Sequence, residues 1–406
     1  MNTIIYRFLF VGLFLLALNS CTEPFEFEDK PVFESALVIE ARITDQNKIQ
    51  NILISRSFPL DTIISSVEVG ASVQITDETG RTFDFEDVGN GNYNSRIPFT
   101  AEQDRSYTLS ITTSNGNSYI SEPSSIRAKS NIDEIIAVRE FKDDLEEGVF
   151  IYLNSFDPTN SGNYYLYEYE ETYKIITPLS SRGFEAYVVS PLPTPAVDYR
   201  LSDEVSAICY STDNSKKIIQ TSTIELGEDR VSRFPVRFID RENYILSHRY
   251  SILVKQFVQS KEAYSYYKTL NTFSSSESLF SQVQTGFLEG NIRSQQNNNE
   301  KVIGFFEVNS VSEKRLFFNY EDLFPGEEIP NYIIDCSIVS PPLANEAGQS
   351  PIISLIEANA VDFFSVYDGE ANPLNFDIFG PFLMTPAGCG DCTRFSSKIV
   401  PEFWEE

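Results

Sequence analysis

Cys21 is the residue whose position most strongly indicates a specific chemistry. Arg7 precedes an apolar run of eleven residues, 8–18, and the small residue Ser20 leads directly to the cysteine. A positive start, a short apolar run and a small residue are typical of a secretory signal. The run is too short to cross a bilayer as a helix, which takes about 20 residues. We therefore predict that residues 1–20 are a lipoprotein signal peptide and that the thiol of Cys21 carries a lipid. Ordinary secretion with an unmodified Cys21 is the alternative.

Four further cysteines, Cys209, Cys336, Cys389 and Cys392, can form disulfides in an exported chain. Three pairings are possible, and the sequence does not choose among them. Cys389 and Cys392 also form a C-x-x-C pair, which in a cytosolic protein would suit zinc or redox chemistry. A zinc site needs further ligands, and His248 is the one histidine of the chain. We predict structural disulfides, a C-x-x-C segment that clips the C-terminal tail, and no cofactor.

The segment 157–168 has the spacing of a calcium-binding loop. Asp157, Thr159 and Ser161 alternate, Gly162 occupies the bend, and Glu168 stands at the twelfth position. A hairpin turn needs the same residue types, because Asp, Pro, Asn and Gly favour turns. We favour the turn, and keep calcium as the weaker interpretation.

Three motifs typical of enzymes are absent from the sequence, which has no G-x-S-x-G, no H-E-x-x-H and no phosphate-binding loop. With 59 acidic residues, carboxylate pairs arise by chance, so a carboxylate-dependent hydrolase stays only as an alternative. Tyr165, Tyr167 and Tyr169 share one face of a predicted strand, where they would either stack on sugar rings or pack in a core. We favour the core, and predict that the protein is not an enzyme.

The formal net charge of −28 limits the partners of this chain. Such an acidic protein repels the phosphates of nucleic acids and of anionic lipids. We therefore expect no nucleic-acid partner, and attachment to a lipid bilayer through acyl chains.

Strand patterns dominate the rest of the sequence. Residues 21–34 predict an acidic tether, and short alternating segments with turn signals over 35–128 predict an Ig-like β-sandwich. Residues 129–406 predict a larger β-rich domain with an irregular C-terminal tail. It contains one short helix over 261–270, which Ser260 can cap. Two neighbouring segments, 301–308 and 314–320, predict a hairpin.

Several segments together resemble one protein family. They are 37–45, 70–73, 250–256, 261–264, 290–292, 302–306, 389–393 and 401–404. In this order they resemble the lipoproteins of domain of unknown function 4249.

The resemblance implies an outer-membrane lipoprotein of Bacteroidota-type cells, displayed on the cell surface and lipidated at Cys21. It also implies a non-catalytic accessory role beside a TonB-dependent transporter, in substrate capture or as a lid. It supplies no catalytic residues. An independent glycan-binding adhesin is the alternative function.

Overall fold

The computed structural model describes residues 35–58, 66–143, 145–275, 288–367, 369 and 379–406. The predicted signal peptide (1–20), Cys21 and the predicted tether (21–34) lie outside the described residues. The prediction of a mainly β fold is confirmed, because strands account for most of the regular structure in the described ranges.

The strands are numbered in chain order. The first group comprises β1 (Leu37–Thr44), β2 (Asn51–Arg56), β3 (Ser66–Val67), β4 (Ser72–Asp77), β5 (Thr82–Gly89), β6 (Asn92–Ser95), β7 (Ser106–Thr112), β8 (Ser118–Ser121) and β9 (Ser124–Ser125). The second comprises β10 (Ile132–Lys142), β11 (Glu146–Asp157), β12 (Tyr164–Ile176), β13 (Phe184–Ser190), β14 (Ala196–Leu201), β15 (Ile208–Asn214), β16 (Ile219–Ser222), β17 (Asp229–Asp240) and β18 (Arg249–Val258). The last comprises β19 (Ile292–Ser294), β20 (Val302–Asn309), β21 (Val311–Asn319), β22 (Val361–Val366) and β23 (Phe382–Pro386). In the described part of the chain three α-helices accompany them: α1 (Lys261–Ser275), α2 (Tyr320–Leu323) and α3 (Pro351–Glu357).

The first sheet is built by alternation of apolar and polar residues. In β7, Tyr107, Leu109 and Ile111 are buried while the residues between them are more exposed. The same period of two buries Val73 and Ile75 in β4. Successive side chains of a strand point to opposite faces, so one face of each strand supplies the apolar core.

This first sheet follows the order β19-β8-β7-β4-β5-β6-β2-β1-β20 and encloses one apolar core. Strands β19 and β20 come from residues far beyond the predicted domain boundary at 128/129. Strand β20 pairs in parallel with β1, from Leu37 opposite Val302 to Thr44 opposite Asn309. The chain therefore leaves the first sheet, builds part of a second unit and then returns to complete the first.

The two ends of the first sheet meet at Asn291. Its side-chain amide donates to the carbonyl of Phe306 at 2.9 Å, and its amide oxygen accepts from the Phe306 N–H at 2.7 Å. Two close backbone contacts in this region require glycine, one between residue 290 and β20 and the other between β20 and β1. A Cβ at Gly290 would lie 1.6 Å from the carbonyl oxygen of Gly304, and a Cβ at Gly304 would lie 2.3 Å from that of Ile39.

A second unit packs two sheets around a shared core. One sheet has the order β10-β11-β17, and the other has the order β15-β12-β18-β21, with β16 paired to β12. Side chains from both sheets, including Ile151 of β11, Tyr167 of β12 and Ile252 of β18, are fully buried between them.

The predicted hairpin of 301–308 with 314–320 is wrong. Strand β20 pairs with β1, and β21 pairs antiparallel with β18. Only Ser310 separates β20 from β21. A hairpin needs at least two turn residues, so the chain instead runs on from one sheet into the other.

Helix α1 begins where the sequence predicts and runs five residues further than 270, to Ser275. The hydroxyl of Ser260 accepts from the N–H of Ala263 at 3.1 Å, as an N-cap does. Two shorter helices, α2 and α3, were not predicted. Helix α3 packs with the β22-β23 and β13-β14 pairs in a separate small core.

We expect Gly304→Ala to lower the free energy of unfolding by about 3 kcal/mol or more, because the methyl group would press on the Ile39 carbonyl. Gly80→Ala is the matched control. Gly80 also has a positive φ, +85°, but nothing lies within 4 Å of its Cβ position. We expect it to lose about 1–2 kcal/mol, the cost of the left-handed backbone alone. Denaturant unfolding of both variants measures the difference; equal losses would contradict the close approach of β1 and β20.

Candidate functional site

A cleft of about 650 Å³ lies between the two units and is the candidate site. We call it the inter-sheet cleft. One wall is the outer face of β1, β2 and β20, and the other is formed by β12, β18 and the turn at 214–218. Tyr266, Tyr267 and Leu270 of α1 also line it. Its volume lies within the range of ligand pockets, about 300–1,000 Å³.

Arg42 connects the walls of this cleft. It lies on β1 directly opposite Glu307 of β20. Its Nη1 donates to Glu168 Oε1 of β12 at 2.5 Å, and its Nη2 lies 3.7 Å from Glu307 Oε1. Its guanidinium also covers the ring of Phe257, with 4.5 Å to the ring centroid. The Arg42 side chain therefore contacts Glu307 in its own sheet and both Glu168 and Phe257 in the sheet of the second unit.

Buried amides extend this contact around Glu307, which is only 2% exposed. Gln259 Nε2 donates to Glu307 Oε2 at 3.2 Å, and Asn309 Nδ2 donates to the same oxygen at 3.2 Å. Gln220 Nε2 donates to Gln259 Oε1 at 2.7 Å. We call Arg42, Glu168, Gln259, Glu307 and Asn309 the Arg42 cluster. Two buried atoms of the cluster, Arg42 Nε and Asn309 Oδ1, have no hydrogen-bond partner among the described residues. The remaining bonds join strands of both units, and a buried network of this kind favours one arrangement of the elements that carry it.

Charge pairing sets the protonation of the cluster. Burial alone would lower the pKa of Arg42, but the charges of Glu168 and Glu307 outweigh it and raise that pKa far above its ordinary value. Burial, with the nearby charge of Glu307, raises the pKa of Tyr267 well above its ordinary value. Arg42 is therefore a permanent cation and Tyr267 a neutral phenol in the floor of the cleft.

We expect Arg42→Met to lower the free energy of unfolding by about 3–5 kcal/mol, because Glu307 would remain buried without its cation. Arg200→Met is the matched control. Arg200 pairs with Glu185, but its side chain is 63% exposed, so the loss should stay below about 1 kcal/mol. Adding Glu307→Gln to Arg42→Met should recover part of the loss, because no unpaired charge is then buried. Denaturant unfolding measures all three variants; equal effects of the two arginine changes would contradict a structural role for the cluster.

The residues of the weak calcium candidate have other partners. Asp157 is buried, and its Oδ1 accepts from the N–H and hydroxyl of Thr159 at 2.9 and 2.6 Å. Its Oδ2 accepts from the N–H groups of Ser161 and Gly162, each at 3.1 Å. Burial raises the pKa of Asp157, but these donors outweigh it and hold the value below the ordinary range. Glu168 instead pairs with Arg42. Within the described ranges, no group of three or more His, Cys, Asp or Glu side chains is placed to hold a metal ion.

Of the three tyrosines on one face of β12, two lie in the core. Tyr165 and Tyr167 are both 0% exposed, and Tyr165 donates to Asp229 Oδ2 at 2.8 Å. Tyr169 is half-buried and lines the cleft. The two inner rings are therefore core residues and are not available to a sugar.

The four cysteines form two disulfides, Cys209 with Cys392 and Cys336 with Cys389. The two cysteines of the C-x-x-C segment thus bond to different partners. Between them the chain wraps around the buried Asp362, whose Oδ2 accepts from the N–H groups of Gly388, Gly390 and Asp391 at 2.7, 3.2 and 3.1 Å. The tail is bonded covalently to β15 and is also organised by this carboxylate.

A proteolytic digest without reductant should yield linked peptides that join Cys209 to Cys392 and Cys336 to Cys389. Reduction should lower the free energy of unfolding by about 2–5 kcal/mol, because the unfolded chain gains freedom when the bonds break. Mass spectrometry of the digest and denaturant unfolding with and without reductant measure the two effects. A peptide with a Cys389–Cys392 bond would contradict this pairing.

Fold and site define a disulfide-bonded, mainly β protein whose two units enclose a cleft. A family description, Domain of unknown function (DUF4249), matches residues 22–315. This chain belongs to that family. The match ends within β21, so the segments 389–393 and 401–404 that contribute to the resemblance lie beyond it.

Two further findings accompany the family match. No curated protein sequence matches this chain. In the part of the chain that the structure describes, no helix is both long enough and apolar enough to cross a membrane.

Proposed function

We propose that this protein is a lipid-anchored protein of the bacterial outer membrane, displayed on the cell surface, and that it works by binding and not by catalysis. It serves a TonB-dependent transporter as an accessory that captures substrate or covers the entrance. The observation that carries the proposal is Cys21, placed directly after a signal-type apolar run. The membership of the chain in the DUF4249 family supports it.

The charge of the protein supports anchoring by lipid. At a formal net charge of −28, contact with an anionic membrane surface is repulsive, so attachment needs acyl chains. Glu23, Glu26, Glu28 and Asp29 follow Cys21 closely. This acidic stretch resembles the export signal for display on the outer face of the outer membrane.

The partners of the buried carboxylates support a non-catalytic role. Glu171 accepts from Arg237 at 3.0 Å and from the hydroxyl of Tyr250 at 2.6 Å. Asp229 accepts from the N–H of Asn163 at 2.9 Å, besides the hydroxyl of Tyr165. Asp362 is held by backbone amides. A general acid or base needs an oxygen free to face the substrate, and the fold uses these oxygens itself.

Anchoring is tested by metabolic labelling with an alkyne-modified palmitate. The wild-type chain should be labelled and sediment with the outer membrane, and the Cys21→Ser chain should lose the label and the sedimentation, since the thiol is the only proposed acceptor. Protease added to intact cells should cleave the labelled protein. A native N-terminus with an unmodified Cys21 by mass spectrometry would overturn the anchor, and protection from the protease would overturn display on the surface.

The partner is tested by capture through a tag at the C-terminus after membrane extraction in mild detergent. We expect a large outer-membrane β-barrel to be recovered in near-equal amount. A second outer-membrane lipoprotein with the same tag is the control for capture through shared detergent micelles. Recovery of no barrel, or of the same proteins in the control, would contradict the accessory role.

A further inference from the structure

The inter-sheet cleft has a charge opposite to that of the whole protein. Arg42 pairs with Glu168 and with the buried Glu307, so these three groups together leave one negative charge. The carboxylate of Glu40 adds a second, and the three lysines Lys216, Lys217 and Lys255 outnumber the two. The chain as a whole has a formal net charge of −28. Charges further apart than about 8 Å are largely screened at physiological salt, so the local excess of lysine decides which ions the cleft attracts.

The three lysines have no ion-pair partner among the described residues. In the sheet register Lys255 of β18 stands between two carboxylates, Glu168 of β12 and Glu313 of β21. Glu168 is bonded to Arg42, and Glu313 accepts from the side-chain amide of Gln46 at 3.0 Å. Lys216 and Lys217 are exposed on the short turn between β15 and β16, which forms the rim of the cleft. Placing like charges around one concavity is unfavourable unless an anion joins them.

The uncharged part of the lining is mixed: Asn51, Asn92, Asn214 and Ser215 are polar, and the rest includes several aliphatic side chains. Val38, Leu53 and Ile303 come from the outer faces of β1, β2 and β20, and each stays partly exposed. A strand face that pointed only to water would have polar residues at these positions. Partly exposed apolar side chains in a concave site bind the apolar body of a ligand, while a few polar groups fix its orientation.

We propose that the inter-sheet cleft binds a small organic anion with an apolar body, whose charged group is held by Lys216, Lys217 and Lys255. The body of the ligand lies against Val38, Leu53 and Ile303. Carboxylates and phosphate esters share the required chemistry. The inference deepens the proposed binding role by naming the ligand class, and its test needs no transporter.

The test is calorimetric titration of the full-length protein in a non-ionic detergent with three probes that share one ring system. Naphthylacetate and naphthyl phosphate carry an anion, and naphthylacetamide is neutral. Because a hydrogen bond to a charged group contributes about 1.5–3 kcal/mol, we expect at least one anion to bind about tenfold or more tighter than the amide. The tighter of the two anions separates a carboxylate ligand from a phosphate ligand. Added salt should weaken the binding of the anion and not that of the amide.

Variants locate the binding. Two variants should each lower the affinity for the anionic probe toward the affinity for the neutral amide. They are Lys255→Gln and the double variant Lys216→Gln with Lys217→Gln. Lys261→Gln removes the same charge from an exposed lysine outside the cleft lining and should leave the affinity unchanged. Equal affinity for anion and amide, wild-type affinity in the cleft variants, or no binding of either anion would overturn the proposal. If a barrel is captured but neither anion binds, the transporter role is supported and the ligand proposal is wrong. If an anion binds but no barrel is captured, the ligand proposal is supported and the transporter role is wrong.

Discussion

The parallel pairing of β1 with β20 is the contact on which the remaining architecture depends. It closes the first sheet with residues about 265 positions further along the chain. It also sets Arg42 directly beside Glu307, and turns both toward the second unit. The pairing is possible because Gly304 lets the strand approach the Ile39 carbonyl. Without it, the cleft would lose one wall and the Arg42 cluster would lose its buried anion.

The sequence predicts the strands of this protein better than their partners. Alternation in β4 and β7 reveals which residues face a core, because the side-chain period of a strand is two. Alternation does not indicate which strand a given strand pairs with. In a parallel pair, no short turn joins the two strands, so the sequence has no local signal of the pairing. This is why 301–308 and 314–320 resembled a hairpin although each strand belongs to a different sheet. Helix α1 was predictable because Ser260 gives a local signal that needs no distant contact.

The cleft was not predictable for a related reason. In the strand Leu37–Thr44, Glu40 and Arg42 alternate with buried residues, which is the pattern of a strand with one face toward solvent. Only the structure places a second sheet over them, and this turns Arg42 into the centre of a buried cluster. Turn chemistry, in contrast, is local. Asp157 organises its own turn through bonds to Thr159, Ser161 and Gly162. Glu168, at the twelfth position of the segment, pairs with Arg42.

The late arrival of β20 has a consequence for how the chain is made. A ribosome that has produced residues 35–128 has released β1 to β9 and much of the apolar core of the first sheet. It has not yet produced β19, which pairs with β8, or β20, which pairs with β1. Exposed edges of this kind recruit other chains. A fragment that ends at residue 128 should therefore aggregate, because it lacks the strands that complete the first sheet. In the whole polypeptide, β1 and β8 acquire their outer partners only once residue 309 has been synthesised.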